Sequence, residues 1–410
     1  MSEIDHRKLG QELDLFYFDE LAPASPFFMP KGAFVYNGLI EFIRKIYRRR
    51  DYQEVITPQV LSNDLWKTSG HYENYKDNMF FASGGKGEEQ AYGVKPMNCP
   101  CHMLMFKHRK WSYRDLPLRY ADFGRLHRFE LSGSISGLTR VRSFCQDDSH
   151  IFLATDQIED EIVTQLNTFL ACYKLFGFEK VKIYLSTRPK KAMGDIAVWD
   201  KAEQALRSAL TGFDFEVKEG DGAFYGPKID LEVADALGRD WQLGTVQLDF
   251  MLPERFDLGF TNADGEKERP VVVHRAILGS IERFMAIYLE HTNGALPFWL
   301  SPEQVVILPI GEGHQDYAYM VAAQLRSQGY RVRVDDRNES LGYRVRDWQK
   351  NKIPYNITLG SKETENHTLA LRALGSKETT VINLKTLNYA LEKVIGSSID
   401  EQIEELLCVQ

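Results

Sequence analysis

KIDLEVADALGRDWQLGTVQLDF, residues 228–250, decides the fold. Ile229, Leu231 and Val233 share one face of an extended segment, because side chains alternate along a strand. ADALGRD then turns the chain, and WQLGTVQLDF runs back beside it. The pair reads as a long antiparallel hairpin. KVKIYLS, 180–186, alternates in the same way. A sheet assembled like this, with helices around it, is α+β and mostly antiparallel.

Helical periodicity flanks these strands. Residues 33–50 carry Val35, Leu39, Phe42, Ile43, Ile46 and Tyr47 at helical spacing and end on Arg48, Arg49 and Arg50, which suit the negative pole of a helix. YQEVITP reads as a short strand stopped by Pro58. Residues 156–177 read as a helix closed by Gly177, and residues 275–291 as a helix with an apolar stripe. The glycine-rich stretch 82–90 lacks the lysine and hydroxyl that end a phosphate loop, and reads as a mobile hairpin tip. Composition changes at NGALPFWLSP, 293–302. Beyond it, strands and helices alternate: VVILPI, a helix from His314, YRVRV, a helix from Leu341, YNITLG, then a last strand and helix. This alternation implies a smaller α/β domain, its parallel-type sheet covered on both faces. The division expected is 1–298 and 299–410.

Bulk properties narrow the function classes. The chain has 410 residues, 43% apolar and 12% aromatic, with a formal net charge of −8, so any nucleic-acid partner needs local basic patches. Five scattered cysteines form no disulfide framework and suit a reducing cytoplasm. The N-terminus resembles no signal or transit peptide, and no apolar run reaches the roughly 18 residues of a membrane span.

Three features carry chemistry. The first is 127–150, with Arg128, Glu130, Arg140, Arg142, Phe144, Gln146, Asp147, Asp148 and His150. Read as one strand from Arg140, it places two arginines, a ring, an amide, a carboxylate and an imidazole on one face. That face is either solvated or the floor of a polar ligand site, and arginines with a stacking ring suit a nucleotide. The second is Arg283 in IERF, which can reach a phosphate at its helix start or pair at the surface. The third is Cys99, Cys101 and His102 in NCPCH. A local zinc knuckle needs a second nearby pair, and a cysteine beside a proline is ordinarily a packed side chain.

Taken together, these stretches resemble the class II aminoacyl-tRNA synthetases, in their threonyl branch, over about residues 14–395. Motif 1 is the helix and strand ending at Pro58, motif 2 is Arg128-Phe-Glu130 with the segment from Arg140, and motif 3 is GSIERF. The branch rests on VKPMNCP, LTRVRSFCQDDSHIF, GAFYGPKID, WQLGTVQLDF and VVVHRAILGSIERF.

The resemblance implies ATP-dependent attachment of L-threonine to tRNA(Thr) through a threonyl-adenylate. It implies Zn²⁺ on Cys99, His150 and His274, and Mg²⁺ with ATP. Arg128 and Arg283 are the implied catalytic residues. ATP falls to Arg128, Glu130, Arg140, Phe144, Gln242, Ser280 and Arg283, and threonine to Met97, Arg128, Gln146, Asp148, Tyr225 and Gln242. Asn338, Lys352, Glu363 and Arg372 match anticodon-reading positions, with Arg331, Arg333, Arg337, Arg344, Arg346 and Lys350 supplying positive charge. A cytoplasmic homodimer through motif 1 is implied. The chain starts almost at the catalytic region, so the expectation is that the N-terminal editing region of many relatives is absent, and that seryl-tRNA is either corrected by a separate protein or tolerated. Cys101, Ser143, Ser149, Phe129 and Leu131 depart from the family pattern, and Cys101 stands as a second thiol near the metal group. The alternatives are another class II specificity, prolyl or seryl-like, a tRNA- or RNA-binding regulator without aminoacylation, and a resistant duplicate of a longer enzyme.

Overall fold

The structure is a computed structural model that describes residues 4–84, 88–386 and 398–408. It divides into two compact units. One comprises 18–26, 40–288 and 406–408; the other comprises 4–17, 27–39 and 289–405. Nothing in the sequence marked residues 4–17 and 27–39 as members of the second unit.

The larger unit is built on eight strands: β1 (Tyr52–Glu54), β2 (Leu118–Asp122), β3 (Asp148–Leu153), β4 (Val181–Ser186), β5 (Glu216–Lys218), β6 (Lys228–Ala234), β7 (Asp240–Asp249) and β8 (Val271–Ala276). Their order is β5-β4-β6-β7-β8-β3-β2-β1. The five inner pairings are antiparallel and the two outer ones parallel. The expected hairpin is β6–β7. Its turn is closed by the Asp235 carboxylate, which accepts from the Leu237 and Arg239 amides at 2.9 and 3.0 Å, while Gly238 takes φ +79°, a conformation glycine adopts without strain. Ile229, Leu231 and Val233 are fully buried, as the alternation requires.

Helix α1 (Pro30–Arg49) starts on a proline and ends on two arginines, both favoured there. Helix α2 (Cys99–Lys107) and helix α3 (Ile158–Leu175) follow, the latter with Glu159, Asp160 and Glu161 in its first turn and Gly177 at φ +80° beyond its end.

Two readings of this unit are corrected. Residues 275–291 are not one helix: Arg275 and Ala276 end β8, a turn follows, and helix α4 runs only over Ile281–His291. Every residue of β8 is buried, so it shows no alternation to set it apart from an apolar helical stripe. Gly279, at φ +73°, breaks the two. Likewise, 140–150 is not one strand. Ser143–Cys145 pairs with Arg125–His127 in a two-stranded ribbon, and β3 begins afresh at Asp148 in the main sheet. The expected hairpin around 82–90 exists, between Phe81–Gly84 and Glu88–Val94; residues 85–87 at its tip lie outside the described residues.

In the second unit, β9 (Val305–Pro309), β10 (Val332–Val334), β11 (Tyr355–Leu359), β12 (Thr368–Ala373) and β13 (Thr380–Asn383) form a sheet ordered β10-β9-β11-β12-β13. Only β9, β10 and β11 are parallel; β12 and β13 are antiparallel. The parallel-type sheet read from the sequence is therefore mixed. Helix α5 (Gln315–Ser327) packs Val321 and Leu325 with Val305 and Ile307. Helix α6 (Leu341–Lys350) packs Trp348 with Val306 and Leu308 on the other face. Among the described residues, no helix is long and apolar enough to cross a membrane.

Candidate active site and metal group

His150 on β3 and His274 on β8 are direct cross-strand partners. Their Nε2 and Nδ1 atoms face each other at 3.0 Å. Cys99 opens helix α2, and its sulfur and the two imidazoles bring ligand atoms within 4.8 Å of one another. All three side chains are buried. Spacing could never have grouped them.

The donor set fits a zinc ion. A thiol and two imidazoles are zinc's preferred ligands, and three protein ligands leave the ion's coordination shell open to substrate. The ring nitrogens facing away are held: His274 Nε2 lies 2.8 Å from the Asp249 carboxylate, and His150 Nδ1 lies 2.7 Å from His102 Nδ1. Outer partners of this kind orient metal-binding imidazoles. Burial, with His274 and His102 nearby, keeps His150 neutral, its ligating form. Burial also pushes the Cys99 thiol well up, so a cation is needed to draw out the thiolate.

Cys101 is not a rival ligand. Two positions along the helix, it faces away from Cys99 and sits among Thr57, Lys95 and Asp122. His102, three positions on, shares the Cys99 face and serves His150 instead of a metal. Behind it lies a buried charge cluster. Lys95 donates to Thr57 at 2.8 Å and lies 3.4 Å from Asp122, Thr57 donates to Asp122 at 2.7 Å, and His102 Nε2 is 3.9 Å from the same carboxylate. Burial alone would raise Asp122; His102, Thr57 and Lys95 outweigh it and hold the carboxyl at about 2 against an ordinary 3.8. A depressed carboxyl contributes stability that is present above its unfolded value and lost as pH falls through its folded value. The stability gap between the wild type and Asp122→Asn is therefore expected to be flat from pH 8 to 5, then to shrink toward pH 2, by about 2 kcal/mol. Thermal melts across that range check it; a gap independent of pH contradicts it.

An open cleft of about 950 Å³ is lined by Arg128, Glu130, Arg140, Phe144, Gln146, Gln242, Ser280 and Arg283. Every residue expected to hold ATP is there. Arg128 lies over the rings of Tyr75 and Phe144 at 5.7 and 5.0 Å and donates to the Pro96 carbonyl. Arg283 donates to the carbonyls of Gln242 and Thr139 and lies 5.4 Å from the Trp241 ring. Burial, with Arg140 close by, lowers its pKa, so two cations at one mouth favour an anion. Glu130 is paired with Arg140 at 2.8 Å.

The remaining threonine candidates are not cleft-lining and cluster by the thiol–imidazole group. Asp148 accepts from the Asn98 amide at 3.0 Å, and it shares the His150 face of β3. Tyr225 lies 5.1 Å from the His274 ring. Met97 sulfur is 3.1 Å from Nε2 of His71, which is 3.8 Å from the Cys99 sulfur. His71 and Asp249 went unnoticed at this site, and His102 stood out only as a candidate ligand beside Cys99, not as the partner of His150. Only His102 left a signal, its spacing from Cys99.

The anticodon candidates are brought to one sheet but not to one spot. Asn338 and Glu363 follow the C-terminal ends of β10 and β11, and Glu363 accepts from the Gly360 amide at 2.9 Å. Lys352 and Arg372 lie at the other end of β11, with Arg372 stacked on Trp348 at 4.9 Å. Arg344 is no surface cation. It is buried and donates to the Asp335 and Pro309 carbonyls. Arg331 likewise bonds the Trp299 and Ser301 carbonyls.

Comparison with known proteins agrees with this geometry. Residues 80–292 match the tRNA synthetase class II core domain (G, H, P, S and T), and 304–393 match an anticodon binding domain. A threonine-tRNA ligase of Bdellovibrio bacteriovorus is 52% identical over 91% of this chain and 57% of its own length. One from Thermotoga petrophila is 50% identical over 98% of this chain and 62% of its own. The chain thus spans about three-fifths of these curated relatives. The RNA binding domain of threonyl-tRNA synthetase from Cryptosporidium parvum superposes with a TM-score of 0.91 at 46% identity, covering 96% of this chain and all of that one. A putative threonyl-tRNA synthetase from Aeropyrum pernix gives 0.83 at 32%, covering 98% and 97%. A prolyl-tRNA synthetase at 19% identity shares the fold. The chain belongs to the class II aminoacyl-tRNA synthetases, in their threonyl branch.

Proposed function

We propose that the chain activates L-threonine with ATP and transfers it to tRNA(Thr). One observation carries this reading: the thiol–imidazole group lies beside Asp148 on the same sheet whose neighbouring cleft holds Arg128 and Arg283.

In the first step a threonine carboxylate oxygen attacks the α-phosphorus of ATP and pyrophosphate leaves. Such a transfer depends on positioning and charge neutralisation. Arg128 faces the reacting carboxylate and α-phosphate, while Arg283 and Arg140 take the outer phosphates; Mg²⁺ entering with ATP would supply further neutralising charge there. Phe144 and Glu130 lie where the base enters; Arg140 releases Glu130 as phosphate draws it away. In the second step a tRNA ribose hydroxyl attacks the acyl carbon and AMP leaves.

Cys99, His150 and His274 would hold zinc, which supplies a Lewis-acidic anchor for an amino and a hydroxyl group. Asp148 accepts from that hydroxyl. Valine has threonine's shape without the hydroxyl, and would leave the carboxylate unpaired. A site built for a hydroxyl rejects such an analogue by roughly 10⁴–10⁵. Serine differs by one methyl, worth only about 1–3 kcal/mol, a rule drawn from the synthetases themselves. The homodimer through motif 1 and the cytoplasmic setting belong to the same proposal; β1 of motif 1 is an edge strand, open on one side to a partner.

The test is ATP–pyrophosphate exchange across an amino-acid panel, with metal analysis of the same sample. Threonine is expected to lead valine by about 10⁴ or more, with one zinc per chain. Equal rates with valine, or folded protein free of zinc, overturn the reading.

A further inference from the structure

We propose that Asp147 is a positioning residue that sets the nucleotide-binding start of α4 against β3; this rests on the proposed function. Asp147 does not line the cleft and is fully buried. Its two carboxylate oxygens accept from consecutive backbone amides, Ile277 at 2.7 Å and Leu278 at 3.0 Å. Its own amide donates to the Gly279 carbonyl at 3.3 Å. Asp147 therefore holds three consecutive residues of the turn between β8 and α4. The next residue, Ser280, bridges to Gln146 and accepts from the Arg283 amide at 3.1 Å. The chain that presents Arg283 is thus fixed by the residue that sits between Gln146 and Asp148.

The carboxylate is itself held in place. Arg275, fully buried, approaches it at 3.5 Å and bonds the Tyr47 hydroxyl at 3.3 Å, and that hydroxyl donates to the Asp147 carbonyl at 3.0 Å. Tyr47 lies on α1, so elements of all three motifs meet at Asp147. A buried carboxylate is a costly choice: burial pushes this one up to about 7 even with Arg275 and both amides pulling it down. The choice has a specific use. Only a carboxylate offers two acceptors side by side to two amides that point the same way; asparagine can satisfy one and opposes the other with an N–H.

The experiment compares the wild type with Asp147→Asn and Tyr47→Phe, using ATP titration by calorimetry together with the KM values for ATP and threonine. Losing one amide partner displaces the turn, and ATP affinity in Asp147→Asn is expected to fall about tenfold or more, with threonine KM and zinc content unchanged. Tyr47→Phe is expected to weaken ATP two- to threefold, about the effect of a lost neutral bond. A purely structural role would lower Tm and the active fraction but leave the ATP affinity of folded protein alone. Asp147→Asn with wild-type ATP affinity overturns the proposal. If that variant does not fold, wild-type ATP affinity in Tyr47→Phe overturns it. Titration needs no amino acid, so weakened ATP binding in a protein that fails threonine-dependent exchange supports the clamp while rejecting the activity.

Discussion

Arg128→Ala is expected to lower threonine-dependent ATP–pyrophosphate exchange by about 10²–10³ in kcat/KM, the usual loss when a group aimed at developing charge is removed. The guanidinium is locked before substrate arrives, between Tyr75, Phe144 and the Pro96 carbonyl, so no reorganisation is needed during reaction. Lysine should not rescue it. A point charge cannot bind a carboxylate and a phosphate with a planar fork, and Arg128→Lys should recover less than tenfold. Steady-state exchange on protein of unchanged Tm decides the matter. A loss below tenfold in the alanine variant would remove Arg128 from the reaction.

His150→Ala should act on selectivity. The variant is expected to purify with little zinc, since two donors hold it far less well than three, and its threonine-over-valine ratio should drop from about 10⁴ to roughly ten or less, because a pocket that reads shape alone cannot separate these isosteres and only Asp148 still reads the hydroxyl. Competition of both amino acids in the exchange assay, beside metal analysis, measures it. Retained zinc with a retained ratio would assign selection to other groups. ATP affinity should hardly move, because His150 is not among the residues lining the nucleotide cleft.

The architecture was legible where one face of a strand is apolar and the other is not. The β6–β7 hairpin announced itself through Ile229, Leu231 and Val233. Legibility failed where that contrast vanishes. β8 is buried throughout, and its apolar run blended into the helix after it. Residues 140–150 are polar on both faces, so the break at Gln146 and Asp147 left no trace, although that break is what places Asp147 under the turn. In the second unit, local alternation of strands and helices could not reveal that the last two strands reverse direction. Family likeness nominated single candidate residues; the side chains that hold them in place left no such sign. Asp249 comes from the end of β7 and His71 from a short helix, and neither sits near a ligand in sequence.

The pairing of His150 with His274 has a consequence for folding. Side chains on a strand change sides at every residue, so sliding β3 past β8 by a single position turns one ring to the far side of the sheet. A misaligned chain cannot bring both rings together. Capture of the proposed zinc would therefore double as an inspection of the two central strands, passed only by molecules that have paired correctly.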